Sequence, residues 1–388
     1  MPGWELISKE EKQEINKIFT LSNGVLFGHG FEKRRRNIFR VKIFEKMFSS
    51  FLKTKYSITT TSGTMAQYIA MKALGIKRGD EVITQAFTFV ATVESIIEIG
   101  AKPIIVDIDE TFNMCPIDLE KKITKKTKLI VPVPMLGAQC DMEKITKIAN
   151  KNNIKILEDA CESLGAKIAN KYVGTHGDVG IFSLDFGKTI TTGEGGLITT
   201  NNKQIYKFCK EYRDHGHQDN MKFPRGKDSR KISGLNLRMS ELQAAVGIAQ
   251  LRKLKFIIKK NKLNKKLLKK LIENPIIKFR KIIDKKGDLS DTLIFYFKNK
   301  KFAENFLIQY NKKGYATKNL PDAIDWHFAG TWKHIFSKQK KYQSNWKTKW
   351  KKSENLLRKS IALPILVKSK KTEIINQAKT INNIFKSL

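Results

Sequence analysis

The sequence predicts an α/β protein: a mostly parallel sheet in a large N-terminal domain, residues 1–255, and a smaller α+β C-terminal domain, residues 256–388. Three observations predict it. Between about Tyr56 and Gly196, short apolar runs alternate with amphipathic stretches, as a wound sheet requires. From Ser240 the pattern becomes one long helical repeat that bridges toward a second unit. Beyond Phe256 there is one clear strand pattern, Thr292–Phe297, followed by a helical pattern at Lys301–Lys312.

Tyr56–Thr60 reads as a short strand, and Ser62-Gly63-Thr64 opens a helix whose Met65, Ile69, Ala73 and Leu74 share a face before Gly75 ends it. Glu81–Ile83, Pro103–Val106 and Leu129–Val133 read as further strands, with a helix from Val90 to Ile99 between the first two. Lys155–Leu157 is another strand, and it delivers Glu158-Asp159 at its C-terminal end, where ligands of such sheets gather. In the long helix, Leu242, Ala245, Val246, Ala249 and Leu254 recur at helical spacing.

Composition narrows the function classes. With 388 residues and 41% hydrophobic content, the chain can bury a large core. No apolar run approaches the roughly 18 residues of a membrane span, and the charged stretch Trp4–Lys17 lacks a signal-peptide apolar region, so the expectation is a cytoplasmic protein without a membrane partner. Cys115, Cys140, Cys161 and Cys209 show no Cys-x-x-Cys spacing and read as reduced thiols, and no metal site is expected. His215 and His217 form a His-x-His pair without a third ligand, which reads as a loop feature. The net charge of +37 invites a nucleic-acid reading. The excess is almost all lysine, dense from Arg252 onward and accompanied by abundant isoleucine and asparagine, which points to codon bias. Nucleic-acid readers use arginine forks and aromatic platforms, and the single arginine cluster, Arg34-Arg35-Arg36, reads as a solvated helix start. No nucleic-acid partner is expected, although an anionic small substrate would suit the surface.

Four features carry chemistry. Ser62-Gly63-Thr64 lies between a strand and a helix, where small residues let backbone N–H groups meet a phosphate; a capped tight turn is its ordinary reading. Asp159 follows the run Ile154–Leu157, placed to pair with a protonated pyridine nitrogen or simply to cap a helix. Lys188 sits among apolar and small residues in Phe182–Thr189, where partial desolvation eases loss of its proton and attack on an aldehyde; most lysines of the chain are surface groups. A phosphate-binding P-loop is excluded for Gly187-Lys188-Thr189, because the first glycine of that motif falls on Phe182. Thr191–Gly196 then offers glycines for close backbone approach, or a hairpin turn. Each is weak alone, and the order of all four is specific.

With these residues, and with Gly79–Ile83, Phe87–Thr92, Asp107-Ile108-Asp109, Gly177-Asp178 and Met239–Gln243, the chain from Glu32 to Leu254 resembles the DegT/DnrJ/StrS family of pyridoxal-phosphate-dependent sugar aminotransferases. The resemblance implies the type I, aspartate aminotransferase-like fold and pyridoxal 5′-phosphate as cofactor. It implies Lys188 as the lysine that holds the cofactor as a Schiff base and shuttles protons, and Asp159 as partner of the pyridine nitrogen. Gly63, Thr64 and Ser183 are implied phosphate ligands, and Phe89 stands where the family stacks an aromatic ring on the pyridine. Glu162 occupies a position near the phenolic oxygen that is often Gln or His in relatives. Asn236 resembles the asparagine that reaches the phosphate in the neighbouring subunit, which implies a homodimer; a loop asparagine is its ordinary reading.

The implied reaction takes an amino group from a donor, L-glutamate in most relatives, to a keto or aldehyde sugar of cell-surface polysaccharide or lipopolysaccharide. Asp214–Asn220, Pro224-Arg225-Gly226, Ser233-Gly234 and Asp325–Trp332 stand out as pocket material, with His215, His217, Arg225, Arg238 and His327 as substrate candidates. The first and last of these stretches resemble the subgroup that aminates an 8-oxo-3-deoxy-octulosonate; a nucleotide-linked 3-keto or 4-keto hexose is the alternative. A non-catalytic regulator on the same fold is a more distant one, against which Lys188 and Asp159 count.

Overall fold

The computed structural model describes residues 3–220, 222–223, 227–273, 276–337 and 346–388. Two helices, α1 (Lys9–Leu21) and α2 (Arg40–Leu52), precede the sheet. Its strands are β1 (Tyr56–Thr60), β2 (Glu81–Gln85), β3 (Lys102–Val106), β4 (Thr127–Ile130) and β5 (Lys155–Asp159). A two-stranded hairpin, β6 (Lys167–Ile168) and β7 (Lys171–Tyr172), leads to β8 (Val179–Ser183) and β9 (Gly196–Thr200). The sheet has seven strands in the order β1-β9-β8-β5-β4-β2-β3. The pairings among β3, β2, β4, β5 and β8 are parallel, and β9 runs antiparallel to both β8 and β1. The mostly parallel sheet expected from the alternating runs is therefore present, with one strand reversed.

Alternation along the strands sorts side chains to two faces. Val82, Leu157, Ile181 and Ile198 join the cluster that includes Ala66 and Ile69 of α3 (Gly63–Ala73) and Val93 and Ile96 of α4 (Val90–Glu98). Phe182 and Leu197 point the other way, toward Phe44 and Phe48 of α2 and Ile248 of the long helix; Phe48 and Phe182 meet edge to face at 5.1 Å. Such burial on both faces is what a parallel sheet needs. Gly196 has a steric reason: a Cβ there would lie 2.2 Å from the Ser62 carbonyl oxygen, so β9 can pass the mouth of α3 only as glycine.

The long helix, α8, covers Glu241–Leu271, after α5 (Pro116–Lys122), α6 (Met142–Lys151) and α7 (Lys203–Tyr212). Ser240 caps α8, accepting from the Gln243 N–H. Its first half packs in the sheet core, while Leu268 enters a separate cluster around the three-stranded antiparallel sheet β10 (Lys278–Phe279), β11 (Thr292–Tyr296) and β12 (Ser360–Pro364). Phe295 of β11 lies 5.4 Å from Phe306 of α9 (Lys300–Lys312) and 5.7 Å from Phe385 of the C-terminal helix Lys371–Lys386. Among the described residues no helix is long and apolar enough to cross a membrane.

Two local expectations differ from the structure. The strand expected at Leu129–Val133 ends at Ile130 by its ladder, because Pro132 and Pro134 have no N–H to give a neighbour. Arg35 is not a solvated helix start. It is fully buried, donates to the carbonyls of Val25 (3.2 Å) and Phe27 (2.8 Å), and lies 3.4 Å from Glu241. A guanidinium satisfies several carbonyls at once, which is how a charge survives there.

Candidate active site

The C-terminal ends of β1, β5 and β8 and the start of α3 open onto a cavity of about 470 Å³. That volume suits a cofactor with part of a substrate. Lys188 enters it from the loop between β8 and β9. This loop is fixed from within: Leu184 N–H donates to Gly195 O (2.8 Å), Thr191 Oγ1 to Leu184 O (3.1 Å), and Lys188 N–H to Asp185 O (3.0 Å). Lys188 Nζ donates to Glu162 Oε1, and the side chains are about 15% and 4% exposed.

The charge state of this lysine is the reverse of the sequence expectation. Burial works most strongly against its charge, but the Glu162 carboxylate, together with Cys161 and Asp185, outweighs it and holds the amine protonated above the ordinary lysine range. Burial likewise pushes Glu162 up, and Lys188, Lys318 and His327 outweigh it, holding the carboxyl below its ordinary range. The other oxygen, Glu162 Oε2, is buried with no hydrogen-bond partner among the described residues.

Asp159 ends β5 and is buried. Its Oδ2 accepts from Thr92 Oγ1 (2.9 Å) and its Oδ1 from Cys161 N–H (3.3 Å). Burial raises its pKa against the bonds from Cys161 and Thr92 and the charge of Lys188. At the mouth of α3, Ser62 Oγ accepts from Met65 N–H (3.2 Å), while Gly63 and Thr64, whose N–H groups have no acceptor within the helix, line the cavity. A Cβ on Gly63 would stand 2.9 Å from Ser183 Cβ and 3.1 Å from Cys161 Sγ. Phe89 lines the opening, with Trp326 stacked at 6.2 Å and His327 at 5.4 Å.

Of the residues expected from sequence, the cavity gathers Gly63, Thr64, Phe89, Asp159, Glu162, Ser183, Lys188 and His327. Within one chain the others lie elsewhere. Asn236 is exposed and bridges to Asp214. His215 is exposed, His217 is bound to Asp228 (Nδ1 to Oδ1, 2.9 Å), and Arg238 pairs with Asp214 and lies 5.0 Å over the Phe27 ring. Arg225 lies outside the described residues. His29, Asp214 and Asp219 lie close enough together to hold a cation, yet Asp214 pairs with Arg238 and Asp219 with Lys210 (3.2 Å), so cationic side chains already serve these carboxylates.

Lys318 and Asn319 were missed by sequence reasoning. Both line the cavity, and Lys318 Nζ is held by Asp291 Oδ2 (2.9 Å) and Thr292 Oγ1 (2.8 Å). In a chain with 74 lysines and arginines, nothing local distinguishes this one.

Pyridoxal phosphate fits these residues. Backbone N–H groups at a glycine where a side chain would collide would suit a phosphate, a buried carboxylate a ring nitrogen, and an enclosed lysine an aldehyde. The comparisons agree with this geometry. The chain belongs to the DegT/DnrJ/EryC1/StrS aminotransferase family, whose model matches residues 35–381. It is 42% identical over 212 residues to the GDP-perosamine synthase of Escherichia coli O157:H7, covering 54% of this chain and 57% of that protein. The chain thus spans less than two thirds of the length of the curated relatives it matches. The aminotransferase from Psychrobacter cryohalolentis superposes with a TM-score of 0.87 at 25% identity, covering 99% of this chain and 98% of that one. The NtdA structure from Bacillus subtilis with bound cofactor PMP gives 0.83 at 26%, covering 99% and 84%. The fold is the type I aminotransferase fold that the resemblance implied.

Proposed function

We propose that this chain is a pyridoxal-phosphate-dependent aminotransferase that moves an amino group, with L-glutamate as donor, onto a keto sugar destined for a cell-surface polysaccharide. The observation that carries this reading is the convergence of Lys188 and Asp159 on one cavity whose third corner is the mouth of α3. Family membership and a cofactor-bound neighbour support it.

Bound pyridoxal phosphate supplies the electron sink for this chemistry. The chain supplies the rest. Gly63, Thr64 and Ser183 would hold the cofactor's phosphate, Asp159 would pair with its ring nitrogen, and Phe89 would pack against the ring. Lys188 Nζ would hold the cofactor's aldehyde and would serve as the group that accepts and returns the substrate's proton. Glu162 holds that amine in place and receives or returns its proton. The protein works as a homodimer in which Asn236 serves the neighbouring site, and its four free cysteines suit the reducing cytoplasm.

For the acceptor we favour a nucleotide-linked keto hexose, because several of the matched relatives are named for a GDP sugar. The octulosonate reading drew on residues 214–220 and 325–332, and of these His327 lines the cavity. The test is to bleach the visible absorbance of the PLP-loaded protein with L-glutamate and then add each sugar. Recovery with a GDP-linked 4-keto hexose supports the proposal; recovery only with the 8-oxo-octulosonate replaces the substrate; no bleaching with any amino donor removes the function.

A further inference from the structure

Beside Asp159, on the wall of the same cavity, lies a short relay of hydroxyls. Thr92 Oγ1 is 2.9 Å from Asp159 Oδ2, and Thr88 Oγ1 is 2.8 Å from Thr92 Oγ1. All three residues are buried, with Thr88 fully enclosed. Counting hydrogens fixes the direction. An ionised carboxylate only accepts, so Thr92 spends its single hydroxyl proton on Asp159 and must accept from Thr88. Were Asp159 neutral and donating, the chain would reverse, and Thr88 would have to donate to Phe89 O at 3.5 Å, the outer limit of a hydrogen bond. The relay is therefore better satisfied when Asp159 is charged.

The frame that carries the hydroxyls is held independently of them. Gln67 Nε2 donates to Thr92 O (2.9 Å), Thr92 N–H to Phe89 O (3.1 Å), and Thr88 N–H to His327 O (3.0 Å). Burial alone would drive Asp159 toward its neutral form, which cannot stabilise a protonated ring nitrogen. Lys188, from the loop after β8, and the Cys161 thiol, from the turn after β5, also face it. Burial lifts the Cys161 thiol well above its ordinary range, so it stays uncharged.

We propose that Thr92, backed by Thr88, is a positioning residue that keeps Asp159 an aimed carboxylate for the cofactor's ring nitrogen. This rests on the pyridoxal-phosphate reading above. Thr92→Val keeps the shape and removes the donor; Thr92→Ser keeps the donor. The measurement is the dissociation constant for pyridoxal phosphate by equilibrium dialysis across pH, together with thermal melting of the cofactor-free protein. The expected result for Thr92→Val is roughly tenfold weaker binding near neutral pH, the scale of a hydrogen bond to a charged group. Affinity is also lost at a higher pH than in the wild type as the solution is acidified, because Asp159, left with Cys161 and Lys188 but without the Thr92 donor, protonates sooner. Thr92→Ser stays within about twofold, and Thr88→Val moves the same way by less. Wild-type affinity and an unmoved acid limb in Thr92→Val would overturn the proposal, as would equal loss in Thr92→Ser or a loss matched by collapse of the cofactor-free melting temperature. If the wild type itself takes up no pyridoxal phosphate, the function reading falls, and this inference falls with it.

Discussion

Lys188 and Glu162 are ion-paired inside the cavity, with one carboxylate oxygen bound to Nζ and the other buried beside it without a partner among the described residues. Under the proposed function Lys188 attacks an aldehyde, and the pair holds it in its ammonium form until the pair is opened. The pair turns a reactive amine into a guarded one.

Replacing Glu162 with Gln tests this directly. The amide removes the charge that holds the proton, so Lys188 becomes neutral at a lower pH. Covalent capture of pyridoxal phosphate, followed by stopped-flow absorbance, is expected to rise with pH in both proteins and to begin its rise earlier in Glu162→Gln. At neutral pH the variant should capture several-fold faster, as a change in the fraction of free amine requires. Identical pH profiles would mean that Glu162 does not control the amine.

Glu162 and Lys188 also set a stability window. The Glu162 carboxyl is depressed on folding, so its contribution is present above the unfolded carboxylate range and is lost as pH falls through the folded value. The Lys188 amine is raised, so its contribution is full below the unfolded lysine range and fades as pH rises through the folded value. Cofactor-free Glu162→Ala should lose about 2–4 kcal/mol near neutral pH, where the wild-type pair is intact and the variant leaves a buried ammonium alone. Urea melts at neutral and strongly acidic pH should show the difference shrinking in acid.

At the cradle, Gly63→Ala places a methyl 2.9 Å from Ser183 Cβ. The expected outcome is a folded protein with about 1–3 kcal/mol less stability and pyridoxal-phosphate affinity reduced at least tenfold, read by thermal melting and dialysis. Unchanged affinity would move the phosphate site away from the start of α3.

Arg280 is a structural test outside the residues that line the cavity. Its buried guanidinium donates to Thr111 O (2.6 Å), Met135 O (2.8 Å) and Asn113 Oδ1 (3.2 Å), tying β10 to loops of the large sheet, and burial pushes it down to about 10. Arg280→Ala strands these acceptors and should cost about 3–5 kcal/mol by urea denaturation.

Much of this was legible in the sequence, and the reasons are local. Gly63, Asp159 and Lys188 follow or precede strands whose apolar runs are unmistakable, so their order along the chain already placed them on one edge of a sheet. What was not legible is tertiary. No spacing announces that Glu162 would turn onto Lys188, or that Lys318, one lysine among so many, would arrive from beyond β11 with Asp291 and Thr292 holding it. Arg35 misled for the same reason: an arginine triplet looks solvated until the carbonyls of Val25 and Phe27 converge on its middle member. His215, His217 and Arg238 were grouped with the site by their polar character and, for the histidines, by resemblance, and within one chain their partners are Asp228, Asp214 and the neighbouring loop.

The central claim is that Lys188 carries the cofactor. The most direct measurement is borohydride reduction of the PLP-loaded protein, followed by peptide mapping by mass spectrometry, on the wild type and on Lys188→Ala. The account predicts one stoichiometric pyridoxyl adduct on the peptide containing Lys188, and its disappearance in Lys188→Ala without a new adduct of equal yield. An adduct on another lysine, or none at all, would contradict it.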